Sequence, residues 1–444
     1  MQAAGLALVA TVAAGLASAG PVRGAGESAV NTAAAAWTDL FGDRPEPAAG
    51  QRMIVVLAAP ALADRMAQAR TTPNEDQQKR WVAEAEAGQR LLVARLAERG
   101  IHVTPVHTFS RTINGFSATL DARAQGELER TDGVAGVFPA RAVYPAGLSA
   151  QALSLRQLSA GSGRRPSLGL PGFDGKGVRI ALLDSGVQID HPSLGGRVQA
   201  GVDLVARDQR AAAEPNPSDP TRIEAHGTRM AGIIAAPRDG SSVGGIAYRS
   251  NLISVRHANG VAAVSSSDAA ASVRGAAQNG SQVVVMAWES LNWWWQVSDE
   301  IEYWHYNRPI LFVAAAGTSG CNDGILDSNV VFPADMPEVM AVTGITYPGG
   351  GVPCGIHHGS DVEVTAYLDI PSTGRYTGDV VGMGGSSNAT AVVGSIAALT
   401  WSRNPGLTRD QLRARLQQSG AFYPSRNSEQ GYGLVNALKA VRGY

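Results

Sequence analysis

The chain has 444 residues, is 44% apolar and 17% charged, and carries a formal net charge of -1. That length and apolar share suffice for more than one domain with buried cores, while the near-zero charge without a basic patch argues against nucleic acid as a partner. The 52 glycines suit a fold with many strand-to-helix turns and close backbone approaches.

In chain order, Gly5 to Leu16 is an apolar run followed by the small-x-small site Ala17-Ser18-Ala19. This predicts an export signal over residues 1–19, although Met1-Gln2 supplies no Lys or Arg. The run is too short to span a membrane comfortably, and no later stretch is long and apolar enough to do so. Residues 20–50 are rich in Ala, Gly and Pro and read as a linker. Residues 51–146 predict a small α+β domain. Met53 to Leu57 is a strand, and Asn74 to Arg99 a helix with apolar positions Trp81, Ala85, Leu92 and Leu96, stopped by Gly100. Ile101 to Phe109 is a second strand, the alternation at Phe116, Ala118 and Leu120 a third, Ala122 to Thr131 a second helix, and Val134 to Phe138 a fourth strand. The order β-α-β-β-α-β is the ferredoxin-like pattern.

Residues 147–171 read as a second linker. From 172 to 444, short apolar strands alternate with helices: Val178–Leu183, Leu252–Val255, Val283–Met286, Ile310–Ala315 and Val339–Val342. This predicts a mostly parallel sheet covered by helices on both faces, with its site beyond the carboxyl ends of the strands. Two cysteines are present, Cys321 and Cys354. Each follows a strand of that sheet, so both emerge at one edge, and in an exported protein they are expected to form a disulfide.

Three segments carry chemistry. Asp184-Ser185-Gly186 ends a strand; His226-Gly227-Thr228 opens a helix; Gly385-Ser386-Ser387-Asn388-Ala389 leads from a Gly-rich turn into another. A serine hydroxyl needs a base to become a nucleophile, histidine is that base near neutral pH, and a buried carboxylate fixes its tautomer. A serine at a helix N-terminus also offers backbone N–H groups to an oxyanion. Each segment alone is commonplace as a turn, a cap or a loop. Together, in the order Asp, His, Ser, they point to a catalytic triad. A different serine hydrolase would want Gly-x-Ser-x-Gly and the order Ser, Asp, His, and neither occurs. No His-Glu-x-x-His or Cys-x-x-Cys metal spacing is present, and His357-His358 reads as a solvated loop.

These segments resemble the subtilisin-like serine peptidases over 172–444. Val178 to Val187 looks like the family's Asp motif, His226 to Ala235 its His motif, Gly385 to Ala389 its Gly-Thr-Ser-Met-Ala block, and Gly431-Tyr432-Gly433-Leu434-Val435-Asn436-Ala437 its C-terminal block. Residues 53–143 are similar to the family's inhibitory propeptide. The resemblance implies a three-layer α/β fold with Asp184, His226 and Ser387 as the triad. It also implies substrate contacts from Ala287, Trp288, Glu289, Ala315, Ala316, Gly317 and Val331, and a cis bond at Phe332-Pro333.

The chain departs from the family in places. The oxyanion asparagine that follows Ala-Ala-Gly is Thr318 here, so the expected donors are the Ser387 backbone N–H and the Thr318 hydroxyl, with Asn322 as the alternative. In this family, losing the asparagine costs about two to three decades in kcat. The usual calcium ligand after His191-Pro192 is Ser193, which puts that structural calcium in doubt; no cofactor is otherwise expected. The specificity-wall segment Met-Ser-Leu-Gly is Met286-Ala287-Trp288-Glu289, and five of the eight tryptophans lie between Trp288 and Trp304, either packing under an insertion or walling the cleft. The sequence is thus read as a secreted, monomeric, self-processing serine endopeptidase. Its partners are protein or peptide substrates and its own propeptide as intramolecular inhibitor. A catalytically impaired binding protein of the same fold is the alternative.

Overall fold

The computed structural model describes residues 52–443, except 70–72, 112, 141, 146–171, 217–218, 224, 239–243, 259–263, 320, 322–326, 347–349 and 375–379. The expected export signal, both linkers and Asn322 lie outside the described residues.

The N-terminal unit contains β1 (Arg52–Leu57), α1 (Leu62–Gln68), α2 (Glu75–Glu98), β2 (Pro105–Phe109), β3 (Gly115–Thr119), α3 (Ala122–Glu129) and β4 (Val134–Pro139). The sheet order is β2-β3-β1-β4, with β1 antiparallel to both neighbours. Asn74 caps α2 by accepting the Gln77 N–H at 2.9 Å, and Ala85, Leu92 and Leu96 form its buried face. That face meets Met53, Val55, Phe116 and Leu128 in the unit's own core. The structure differs from the expected pattern in two respects. The short helix α1 was not foreseen, and the second strand begins only at Pro105, Ile101 and Val103 being buried ahead of it outside any strand. A further strand, β5 (Ala142–Pro145), leaves the unit and pairs with the larger domain.

That domain contains β6 (Arg179–Asp184), β7 (Val198–Asp203), the ribbon β8 (Pro215–Asn216) and β9 (Asp219–Ile223), α4 (His226–Ala235), β10 (Asn251–Arg256), β11 (Val264–Ser265), α5 (Ser266–Gln278), β12 (Val283–Met286) and β13 (Trp288–Glu289). It continues with α6 (Trp295–Asn307), β14 (Leu311–Ala315), β15 (Val339–Ile345), β16 (Val362–Tyr367), the hairpin β17 (Ile370–Thr373) and β18 (Val380–Met383), then α7 (Ser386–Arg403), α8 (Arg409–Gln418) and α9 (Ala437–Arg442). Seven strands form one parallel sheet in the order β16-β15-β14-β12-β6-β10-β7.

Its strands read as unbroken apolar runs because both faces are covered. On one face Ile180, Leu182, Val283 and Val285 meet Ile233 of α4 and Val393 and Ile396 of α7. On the other, Ala181, Leu183, Val284 and Met286 meet Val273 of α5 and Val297 and Ile301 of α6. Each fully buried Val, Leu or Ile contributes about 1.5–3 kcal/mol relative to exposure, so the carboxyl edge of the sheet is held firmly. The N-terminal unit sits on the α5–α6 face, where Ile54 and Phe109 join the core. Arg52 and His107 both reach Asp268 of α5, at 2.6 and 2.7 Å, and Arg111 donates to the Tyr303 hydroxyl of α6 at 2.8 Å. Cys321 and Cys354 form the expected disulfide, and Phe332-Pro333 is cis as the resemblance implied; Tyr423-Pro424 is a second cis bond.

Candidate active site

Asp184 closes β6 at the carboxyl edge and is buried, its Oδ1 accepting the Ser185 backbone N–H at 2.7 Å. The chain must then turn sharply, and Gly186 does so at φ 91°. His226 opens α4 and donates from Nδ1 to Asp184, 2.8 and 2.9 Å from the two carboxylate oxygens. With Nδ1 committed as donor, Nε2 is the basic nitrogen of the neutral ring. The close seating of α4 demands Gly227: a Cβ there would stand 2.2 Å from the Gly186 carbonyl oxygen and 3.1 Å from Asp184 Oδ1.

Ser387 is the second residue of α7, behind Gly385 at φ 121°, and its hydroxyl donates to the Ala287 carbonyl at 3.1 Å. Ala287 follows β12, whose last residue Met286 pairs with Leu183 of β6. The serine and the Asp–His pair therefore gather at the carboxyl ends of adjacent strands.

Thr318 lies beyond β14. Its hydroxyl oxygen accepts the Ser386 backbone N–H at 3.1 Å and is 2.8 Å from the Ser386 hydroxyl; its backbone N–H donates to Glu289 Oε2 at 2.7 Å. Ser386 and the buried Glu289 carboxylate thus grip the Thr318 loop, a pair of contacts that motif spacing does not reveal. Ala315 and Ala316 are buried, and Val331 donates its N–H to the Ala316 carbonyl at 3.0 Å. Of the tryptophans, Trp288, Trp294 and Trp304 are buried in the α5–α6 core, Trp288 stacked on Trp294 with centroids 6.3 Å apart, while Trp293 is exposed against Phe332. Most of the cluster is packing. His257, beside Trp288 at 5.5 Å, is driven down to about 4 by burial and stays neutral in ordinary buffers. The expectation of a solvated His357-His358 loop is wrong for His357, which is 1% exposed and donates from Nδ1 to the Asn329 carbonyl at 2.8 Å. The sheet packs it beneath Gly317, a contact between distant segments.

Three-stranded pairing completes the cleft. β5 of the N-terminal unit lies antiparallel between β11 and β13, Val143 opposite Val264 and Tyr144 opposite Glu289. At the expected calcium position, Ser193 offers a neutral hydroxyl and its N–H donates to His191 Nδ1 at 3.1 Å, which does not fit a hard divalent cation. No group of three or more His, Cys, Asp or Glu able to hold a metal occurs among the described residues. No helix among them is long and apolar enough to cross a membrane.

Residues 175–433 match the subtilase family, and residues 54–146 match the peptidase inhibitor I9 family. The chain is similar to the thermostable alkaline protease of Halalkalibacterium halodurans, 31% identical over 61% of this chain and 69% of that protein. It is similar to subtilisin NAT of Bacillus subtilis subsp. natto, 28% identical over 74% of this chain and 81% of that protein. Among solved structures, fervidolysin from Fervidobacterium pennivorans, a keratinolytic enzyme related to subtilisin, superposes with a TM-score of 0.63 at 20% identity over 89% of this chain and 61% of that one. That last likeness is one of fold. With an Asp–His pair and a helix-opening serine at the carboxyl edge of a seven-stranded parallel sheet, behind an inhibitor-type domain, the chain belongs to the subtilase family.

Proposed function

We propose that the protein is a secreted serine endopeptidase, working as a monomer, in which Asp184, His226 and Ser387 form the triad. The domains would be a signal over 1–19, a linker to 50, an inhibitory propeptide over 51–146, a second linker to 171 and the peptidase over 172–444. The observation that carries the reading is the Asp184–His226 pair at 2.8 Å beside a strand-paired propeptide tail. An extended segment seated between two cleft strands occupies the place of a substrate. Family membership and the subtilisin likeness support secretion. The impaired alternative has no observation in its favour.

In the mechanism, His226 Nε2 takes the Ser387 hydroxyl proton as Oγ attacks the carbonyl carbon, and Asp184 stabilises the imidazolium through Nδ1. The oxyanion is met by the Ser387 backbone N–H and the Thr318 hydroxyl. A hydroxyl has two acceptor sites and one hydrogen. If the N–H and O–H of Ser386 fill both acceptor sites of Thr318, its own hydrogen is left for the oxyanion. His226 then protonates the leaving amine, and water hydrolyses the acyl-enzyme by the same steps reversed. Ser387→Ala should abolish casein hydrolysis and leave the precursor uncleaved, and a fluorophosphonate probe should label Ser387 in the wild type. Undiminished hydrolysis by Ser387→Ala would end this reading.

A further inference from the structure

The strand on which the tail lies and the loop that carries Thr318 are joined by one side chain. β13 consists of Trp288 and Glu289, and alternation along a strand sends their side chains to opposite faces. Trp288 enters the α5–α6 core, where it stacks on Trp294. Glu289 goes the other way, is 7% exposed, and accepts the Thr318 N–H on Oε2 at 2.7 Å. A buried carboxylate is costly unless it is hydrogen-bonded, so such a bond holds both partners in place. The two ends of the segment are fixed by the domain itself. Met286 pairs with Leu183 and Ala314, and the Ser290 N–H donates to the Phe332 carbonyl at 2.8 Å. Between them, the strand paired with β13 is β5 of the tail, Pro145 opposite Trp288 and Tyr144 opposite Glu289. The place of the Glu289 backbone thus answers to the extended chain lying along it. From Thr318 the path is short: its hydroxyl oxygen accepts the Ser386 N–H at 3.1 Å, and Ser386 is the neighbour of Ser387.

We propose that Glu289 is a positioning residue that couples the filling of β13 to the oxyanion site: an extended chain paired with its backbone sets its carboxylate, and the carboxylate sets Thr318 for the developing charge. The proposal rests on Ser387 as nucleophile and Thr318 as oxyanion donor, and Glu289 acts only through Thr318. Pairing away from the scissile bond thereby orients a group beside it, the pattern in which truncated substrates lose kcat and not only affinity. Reach decides which substrates gain. Ala287 holds the Ser387 hydroxyl at 3.1 Å, and Trp288 and then Glu289 follow along the strand. By the tail's antiparallel register, a substrate engages the coupling when its acyl side extends past the positions facing Ala287 and Trp288 to the one facing Glu289.

The test gives the full chain, after it has matured, two thiobenzyl esters, succinyl-Ala-Ala-Pro-X and acetyl-X, where X is whichever of Ala, Leu, Phe and Lys the wild type turns over fastest. The wild-type kcat on the long ester should exceed that on the short one by about tenfold or more. Glu289→Ala should lower this long-to-short ratio by about tenfold, through kcat on the long ester and with little change in its KM. Glu289→Gln, whose side-chain carbonyl still accepts the Thr318 N–H, should bring the ratio back to within about threefold of wild type. In a Thr318→Val background, Glu289→Ala should leave the ratio where Thr318→Val put it. Should Glu289→Ala fail to fold, Glu289→Asp, one methylene short of Thr318, should give the same fall. A ratio unmoved by these variants, or a change confined to KM on the long ester, overturns the coupling alone. Thr318→Val as fast as wild type overturns the donor role and the coupling with it. No hydrolysis of either ester and no fluorophosphonate label on Ser387 overturns the protease reading itself.

Discussion

At the residue scale, the oxyanion role proposed for Thr318 sets how fast the enzyme would be. A threonine hydroxyl reaches less far than an asparagine amide, but here it is oriented: Ser386 engages its oxygen twice and Glu289 holds its backbone. Such preorganisation is what makes an oxyanion donor effective. Thr318→Val keeps the shape and removes the hydroxyl. We expect kcat to fall by at least about tenfold with little change in KM, since the bond strengthens only in the transition state. Steady-state kinetics on one anilide substrate decide the matter, and a variant as fast as wild type returns the role to Asn322. The positions of Asp184, His226 and Ser387 were legible in the sequence because each needs a local device: a glycine turn or a helix start. The grips on Thr318 and the burial of His357 were not, because they join segments from 29 to 68 residues apart along the chain or depend on how two loops stack.

At the element scale, the turn after β6 is braced from β10. Arg256 pairs in register with Asp184 and is 1% exposed. Its guanidinium meets Asp203 of β7 at 3.0 Å and Glu214 at 2.8 Å, and its Cδ lies where a Cβ on Gly186 would come within 2.9 Å. Arg256→Leu would leave the buried Asp203 carboxylate without its cation. Breaking a buried pair in this way costs about 3–5 kcal/mol. Urea unfolding in a Ser387→Ala background should show a loss of that order. A change below about 1 kcal/mol would mean that the two backbone N–H groups already donating to Asp203 are sufficient. Five strands of the sheet, β6, β10, β12, β14 and β15, were legible as apolar runs, α2 from its apolar period, and α4 and α7 from the motifs that open them, whereas β7 and β16, broken by polar residues, and the helices α5, α6, α8 and α9 were not. α1 escaped because seven residues with a single buried leucine carry too short a pattern.

At the scale of the whole molecule, the N-terminal unit is held by ionisable groups whose preferences oppose one another. Burial alone would raise the Asp268 carboxyl, but His107, Arg52 and Ser265 overcome that and hold it below the ordinary carboxylate range. This contribution to docking is lost as pH falls through that lowered value. On α6, burial pushes Asp299 up to about 7, helped by the charges of Glu302, Glu300 and, across the interface, Asp64 of α1. Only Asp64 among these groups belongs to the N-terminal unit, so its share of the rise exists only in the docked state, and for that share the docked carboxyl holds a proton that the free one releases. That share stabilises docking while Asp299 is protonated and declines as pH rises toward 7. Docking should be firmest on the acid side of neutrality. In the cleaved but still associated complex, the rate at which activity appears should rise from about pH 5 to pH 8. Asp299→Asn should flatten that profile. A profile independent of pH, or one that Asp299→Asn leaves steep, would remove Asp299 from the account.

The seating of β5 also bears on which proteins this enzyme can destroy. The tail is held through its backbone, Ala142 and Val143 pairing with β11 and Tyr144 and Pro145 with β13. The backbone groups of a folded victim are already engaged with one another. Such a chain must first open locally and lie straight before it can take the tail's place. The rate of attack on a native protein then follows the population of its open forms, tenfold slower for each 1.4 kcal/mol of local stability. The cleft thereby measures the foldedness of what it meets: damaged and nascent chains fall quickly, compact ones persist, and the enzyme's own well-packed sheet is spared by the same criterion.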